Sequence, residues 1–259
     1  MYFDTHAHLD DSAFDEDREK LLADLFGNGV ELILDPGCDL ESSRKAQSIA
    51  AAHERVYFAA GLHPEEIWKL TEGYLEQILH LTEDRKCLAV GEIGLDYYWD
   101  DTKKEEQKRL LHRQLSFALE KDLPVIIHDR EAHGDILEIV RQYPVLRGVF
   151  HCYSGSAEMA KELLRMGWYL GFDGPITYKN AKKVIEVLQI CPVERILIET
   201  DSPYLSPVPL RGKRNNPGNL VFICNRIAEI KGLSPEQTAR ITWNNGKELF
   251  QVPEFTKST

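Results

Sequence analysis

Short apolar runs recur along the chain, separated by stretches in which apolar residues return at helical spacing among charges. The runs lie at residues 2–5, 31–35 (ELILD), 56–61 (VYFAAG), 87–92 (CLAVGE), 124–128 (PVIIH), 147–151 (RGVFH), 168–172 (WYLGF) and 195–200 (RILIET). Most are near-continuous in hydrophobicity, as strands covered on both faces must be. Residues 103–121 place Leu110, Leu111, Leu115, Ala118 and Leu119 on one helical face, and residues 156–166 do the same with Met159, Leu163 and Met166. Ser234-Pro235-Glu236-Gln237 reads as a helix start: a capping serine, proline in the first turn and glutamine at the third position. Eight strands alternating with helices predict an α/β fold, a (β/α)8 TIM barrel of parallel strands. An open doubly wound sheet is the alternative. The 259 residues suit one such domain spanning 1–259, with no linker, repeat or low-complexity tract to divide it.

A barrel gathers the C-terminal ends of its strands on one face, where active sites sit. Five of the nine histidines fall at or just past those ends: His6, His8, His63, His128 and His151. Glu92 ends the fourth strand, and Asp201 follows the eighth. His6 and His8 are two residues apart in an extended segment and share a face. Alone, such a pair is often a solvated turn; its meaning comes from the other groups that a barrel would bring to it. A carboxylate at the end of an apolar strand, as at Glu92, is costly unless paired or metal-bound. For His128 the competing reading is a hydrogen-bonded core histidine, and His151 is read alike. Asp201 has the alternative of capping a turn through Ser202. Glu199, two residues earlier, is expected on the same strand face, with one of the two carboxylates orienting ligands. His63 in "GLHP" stands equally as a ligand or a supporting group. Asp96 reads as loop or support. His53, His80, His112 and His133 are expected on helices and solvated, with His133 near enough to the fifth strand to reach the rim.

Six groups, His6, His8, Glu92, His128, His151 and Asp201, suit a pair of divalent ions. Imidazole favours zinc, manganese or iron over magnesium, which prefers oxygen ligands but is compatible. The net charge of −11 offers no field to attract duplex DNA, so any contact with phosphate must be local. Two divalent ions against two carboxylates leave such a site positive. The five cysteines are odd in number and scattered, which argues against a disulfide framework; Cys87 and Cys224 read as core residues and Cys152 as packing. No apolar run approaches a membrane span, and no leader pattern opens the chain; the expected compartment is the cytoplasm. No protein partner can be inferred.

The stretches "DTHAHLD", "GLHPEE", "VGEIGLDYY", "PVIIHDREA", "FHCYSGS", "IETDSPYLSP", "PLRGKRNNPGN" and "NNGKELF" run in order from residue 4 to residue 250. In these the chain resembles the TatD family of metal-dependent deoxyribonucleases, among the amidohydrolase-like barrels. The resemblance implies that His6, His8, Glu92 and Asp201 bind one ion, and that Glu92, His128 and His151 bind a second with Glu92 bridging. It also implies that Asp201 positions the attacking water and accepts its proton, with DNA, as single strands or ends, for substrate. His63 would hydrogen-bond the phosphate or an inner ligand. Arg130 would contact phosphate, against the alternative of an ion pair with Glu131 or Asp135. Arg211, Lys213 and Arg214, on the loop at 202–218, would track the backbone or stand solvated. Tyr97, Tyr98, Trp99 and Tyr153 flank the expected mouth, and Tyr98 or Tyr153 would stack on a base. Two other readings stay open: a hydrolase of a small amide, lactone or phosphoester on the same scaffold, and a non-catalytic metal-binding protein.

Overall fold

A computed structural model describes residues 1–99 and 101–253; the last six positions of the expected domain lie outside the described residues. The chain begins β1 (Tyr2–Asp4), α1 (Arg18–Gly27), β2 (Val30–Pro36), α2 (Leu40–Ala52) and β3 (Val56–Ala60). It continues α3 (Tyr74–His80), β4 (Cys87–Asp96), α4 (Lys104–Glu120), β5 (Val125–Arg130), α5 (His133–Val140) and β6 (Gly148–Phe150). It ends α6 (Ala157–Arg165), β7 (Tyr169–Phe172), α7 (Lys182–Ile190), β8 (Ile196–Ile198), α8 (Leu220–Lys231) and α9 (Pro235–Phe250). The eight strands form one sheet in sequence order, with every neighbouring pair parallel. β8 returns to β1: Thr5 N–H donates to Ile198 O at 3.3 Å, and just beyond the strands Asp201 N–H donates to His6 O at 2.9 Å. The architecture is the expected (β/α)8 barrel. Among the described residues no helix is long and apolar enough to cross a membrane.

The period of two along each strand divides its side chains between two apolar layers. Ile33, Phe58, Leu170 and Ile198 join the layer that also takes Leu22, Ile49, Leu111, Ile136, Leu163 and Ile223 from the surrounding helices. Leu32, Leu34, Tyr57, Ile126, Val149, Tyr169 and Leu197 join the other, to which all eight strands contribute and no helix but α9. That second layer fills the barrel, and Leu249 and Phe250 at the end of α9 close it. Burying each such side chain contributes roughly 1.5–3 kcal/mol.

Strand ends differ from the sequence reading in one way that matters. β4 runs on to Asp96 rather than stopping at Glu92. A Cβ on Gly94 would lie 1.9 Å from His128 O, so this position needs a glycine for close approach to β5, and the strand continues through it. β6 and β8 are shorter than read, which leaves His151 and Asp201 in the turns beyond them. Leu119 is 41% exposed, so the buried face of α4 is carried by Leu110, Leu111, Leu115 and Ala118. The capping box at Ser234 and Gln237 is present. The 202–218 loop lies on the C-terminal face, pinned by buried Asn215, whose Nδ2 donates to Thr200 O at 2.8 Å and Tyr204 O at 2.7 Å.

Candidate metal centre

Glu92, on β4, is the hub. Its Oε2 lies 3.3 Å from His6 Nε2 and 3.8 Å from His8 Nε2, both just past the end of β1. Its Oε1 lies 2.9 Å from His128 Nδ1, on β5, and 2.8 Å from His151 Nε2, past β6. Asp201 takes a left-handed conformation (φ 53°), which aspartate tolerates better than most residues. Its Oδ1 stands 3.7 Å from His6 Nε2 and 3.5 Å from His8 Nε2. The six groups expected at one centre are therefore brought together. Imidazole nitrogens of His6 and His8 face each other at 3.2 Å. Ligands about 2.0–2.2 Å from a tetrahedral ion are roughly 3.3–3.6 Å apart; the 3.3 Å His6–Glu92 and 3.5 Å His8–Asp201 separations match that spacing, while the 2.8 and 2.9 Å contacts of Glu92 Oε1 are hydrogen-bond lengths. Two donor sets, His6/His8/Glu92 and Glu92/His128/His151, each draw within 4.8 Å, and they share the glutamate.

The far nitrogens of the histidines are held differently. His128 Nε2 meets Asp96 Oδ2 at 2.9 Å, and His151 Nδ1 faces Glu199 Oε1 at 3.6 Å. His8 Nδ1 faces Pro36 O at 3.2 Å. His6 Nδ1 is buried without a hydrogen-bond partner. Glu199 thus sits behind His151 and also accepts from Cys152 N–H at 2.5 Å, while Asp201 faces the cavity. Asp96, read as loop or support, ends β4 against His128. The signal was present, because Glu92, Gly94 and Asp96 alternate on one strand face. His63 is buried beside the hub, with Nε2 3.5 Å from Glu92 Oε1. Its Nδ1 accepts from Glu65 N–H at 3.2 Å, so the ring proton sits on Nε2, aimed into the centre. That favours a donor over a ligand.

Burial would raise the pKa of Glu92, but His151, His6, His63 and His128 outweigh it and hold the carboxyl well below its usual range. Burial opposes ionisation of Asp201 in the same way, and His8, His6 and His151 overcome it. His128 is pushed up to about 9: burial works against its charged form, and Asp96 and Glu92 more than compensate.

The centre opens into a cavity of about 820 Å³. Its rim is acidic, with Asp10, Asp11, Asp39, Glu65, Glu66 and Asp129, and Arg130 is the one lysine or arginine among the described lining residues. Arg130 makes no ion pair with Glu131 or Asp135. It lies 3.9 Å above the Tyr98 ring, while Asp135 takes Lys108 at 2.7 Å and the Tyr97 hydroxyl at 2.7 Å. Arg211 and Lys213 are exposed and do not line the cavity; Arg211 covers Tyr178 at 4.3 Å. Arg214 is tied to Asp17 at 2.6 Å. The expected basic cluster is thereby dispersed. Tyr153 is buried, its hydroxyl donating to Ser156 O at 2.8 Å, so it presents no ring at the mouth. Cys152, read as packing, lines the cavity beside His151. Burial, Asp173 and Asp201 push its thiol well above the usual range, which disfavours the thiolate. His133 pairs with Asp129 at 2.8 Å and does not line the cavity. His112 is half-buried against the Tyr143 hydroxyl at 2.9 Å. Cys38, unread in the sequence, lines the cavity next to His8.

A family model described as "TatD related DNase" matches residues 3–251. The chain is 41% identical to the uncharacterized metal-dependent hydrolase YabD of Bacillus subtilis, over 97% of this chain and 100% of that one. The crystal structure of YjjV, a TatD homologue from Escherichia coli K12, superposes with a TM-score of 0.92 at 33% identity, covering 97% of this chain and 98% of that one. The structure of a TatD family hydrolase from Entamoeba histolytica gives 0.87 at 25% identity, with 96% and 97% covered. The chain therefore belongs to the TatD-related DNase family, whose relatives carry the name metal-dependent hydrolase.

Proposed function

We propose that the chain hydrolyses DNA phosphodiester bonds, removing nucleotides from ends, with two divalent ions held by His6, His8, Glu92 and Asp201 on one side and Glu92, His128 and His151 on the other. The observation that carries this reading is the Glu92 carboxylate, one oxygen toward His6 and His8 and the other toward His128 and His151. The imidazole-rich donor set favours zinc or manganese, with magnesium compatible. Bound ions would supply Lewis acidity, lowering the pKa of water and polarising a phosphoryl oxygen. Asp201, kept ionised by its histidine neighbours, orients the attacking water and takes its proton. His63 donates from Nε2 to a phosphoryl oxygen or to Glu92. Arg130 contacts a phosphate. Asp96 and Glu199 hold His128 and His151 in place from behind. The five unpaired cysteines suit a reducing compartment, the cytoplasm.

The acidic rim favours a second reading, a small phosphoester, amide or lactone as substrate. A purely structural metal site would be closed, and the cavity reaching Glu92 and Asp201 speaks against that. The experiment is to incubate metal-loaded protein and Asp201→Asn with end-labelled single- and double-stranded DNA and with a panel of amides and lactones. Metal-dependent release of nucleotides by the parent, lost in the variant, is expected. Equal cleavage by both would mark a contaminating nuclease, and turnover of the small substrates alone would replace DNA with them.

A further inference from the structure

Among the described residues every tryptophan or tyrosine left exposed stands on the metal-centre face: Trp68 after β3, Tyr98 and Trp99 after β4, and Tyr204 after β8. Three of them crowd the cavity. Trp99 and Tyr204 line it, and Tyr98 meets Trp99 edge-on at 4.9 Å. Tyr204 is fixed, its hydroxyl donating to Asp11 Oδ2 at 2.7 Å and its ring 6.1 Å from that of His8. The Arg130 guanidinium lies 3.9 Å above Tyr98 and 5.4 Å from Trp99, with no ion-pair partner among the described residues. Exposed rings lose favourable burial, and the rest of the rim is acidic, with Lys69 paired to Asp39 and Glu66 and His133 to Asp129. The opening therefore presents flat apolar surface and a single cation to whatever enters, and repels a run of phosphates.

We propose that this rim grips a single-stranded nucleic-acid end through its bases rather than its phosphates. Bases stack on Trp99 and the Tyr98–Arg130 pair on one side and on Tyr204 on the other. One phosphate meets Arg130 and the next enters the metal centre. The inference rests on the phosphodiester reading and specifies how that substrate is recognised. Stacking is available to any unpaired base, because each has a π face, and is closed to a duplex interior. Two phosphate contacts predict an unusually shallow salt response. With a slope of about −0.7 per phosphate on single strands, a tenfold rise in salt weakens two contacts by about 25-fold and six by on the order of 10⁴-fold.

The test measures binding directly. Metal-loaded Asp201→Asn is titrated into a fluorescent hexanucleotide and into a hexamer of the same charge built from abasic spacers, by anisotropy, at 50 and 500 mM KCl. The intact hexamer is expected to bind at least tenfold more tightly than the abasic one and to lose no more than about 25-fold across the salt range. Adding Trp99→Ala removes the discrimination between the two, which a general folding defect would not do selectively. Trp68→Ala, away from the cavity, preserves it. Equal binding of both hexamers, or a salt loss on the order of 10⁴-fold, overturns the proposal. Metal-dependent cleavage that ignores Trp99→Ala sinks base stacking and leaves the nuclease reading standing. Failure to bind or cleave either hexamer sinks both.

Discussion

The two halves of the metal centre receive negative charge by different routes. On the His6/His8 side a second carboxylate, Asp201, stands in the cavity itself, its Oδ1 within 3.7 Å of both imidazoles. The backing there is slight: a backbone carbonyl behind His8, and no hydrogen-bond partner for His6 Nδ1 among the described residues. On the His128/His151 side no cavity-facing carboxylate other than Glu92 meets both imidazoles among the described residues; Glu65, which lines the cavity, clusters with His63 and His128 only. Asp96 and Glu199 sit behind the rings, both with fully buried side chains (0% exposed), while Asp201 is 14% exposed. A carboxylate facing the cavity can exchange a proton with substrate water. One behind an imidazole can only orient the ring and raise its basicity. On the proposed reading, the difference divides the centre into a half that reacts and a half that holds.

Glu92 belongs to both halves, so its loss should produce the largest effect. Glu92→Ala is expected to lower metal content from up to two ions per chain to below one, by elemental analysis, with hydrolysis down by about 10⁴-fold or more. Full metal retention in that variant would break the shared-hub geometry. Next in size, Asp201→Asn should reduce turnover by roughly 10²–10⁴-fold, the range for a general base, while removing less metal than Glu92→Ala. Asp96→Asn should do the reverse. Metal affinity is expected to fall roughly 10–100-fold at one position, with turnover largely recovered at saturating metal. If Asp96→Asn and Asp201→Asn gave the same ratio of lost affinity to lost turnover, the division into reacting and holding halves would be wrong. Glu199→Gln should resemble Asp96→Asn but more weakly, since its contact with His151 is longer, 3.6 Å against 2.9 Å.

The reacting half was the more legible of the two in the sequence. His6 and His8 share a face by their spacing and gain meaning from the other strand-end groups, and Asp201 follows a clean apolar run. The holding half was harder to read. His128 and His151 end recognisable strands, but Asp96 lies past a glycine that looks like a strand end and is in fact a point of close approach to β5. The fold was legible because buried parallel strands leave near-continuous apolar runs. What failed was pairing at a distance. Arg214 meets Asp17 across nearly the whole chain, and Arg130 folds onto Tyr98 of the neighbouring strand's loop. Local charge and aromaticity do not reveal such partners, because the barrel closure that creates them joins residues remote in sequence.

The smallest expected effect concerns two thiols, one in each half. Cys38 lies against His8, and Cys152 follows His151, its amide bound to Glu199. Burial pushes the Cys38 thiol up to about 12, with His8 only partly offsetting it. The Cys152 thiol is also raised well above its usual value, by burial and then by Asp173 and Asp201. A raised thiol pKa leaves the protonated, unreactive form dominant until pH approaches that value, and a pKa of 12 leaves about one thiolate in 10⁴ at pH 8. Native protein should therefore resist iodoacetamide at both positions at pH 8, by peptide mass analysis, and labelling should rise only in strong alkali or on unfolding. Selective labelling of Cys38 at pH 8 would sharpen the comparison. It would mean that the cavity wall beside His8 admits solvent and reagent, and that its charge is screened by water rather than held by burial.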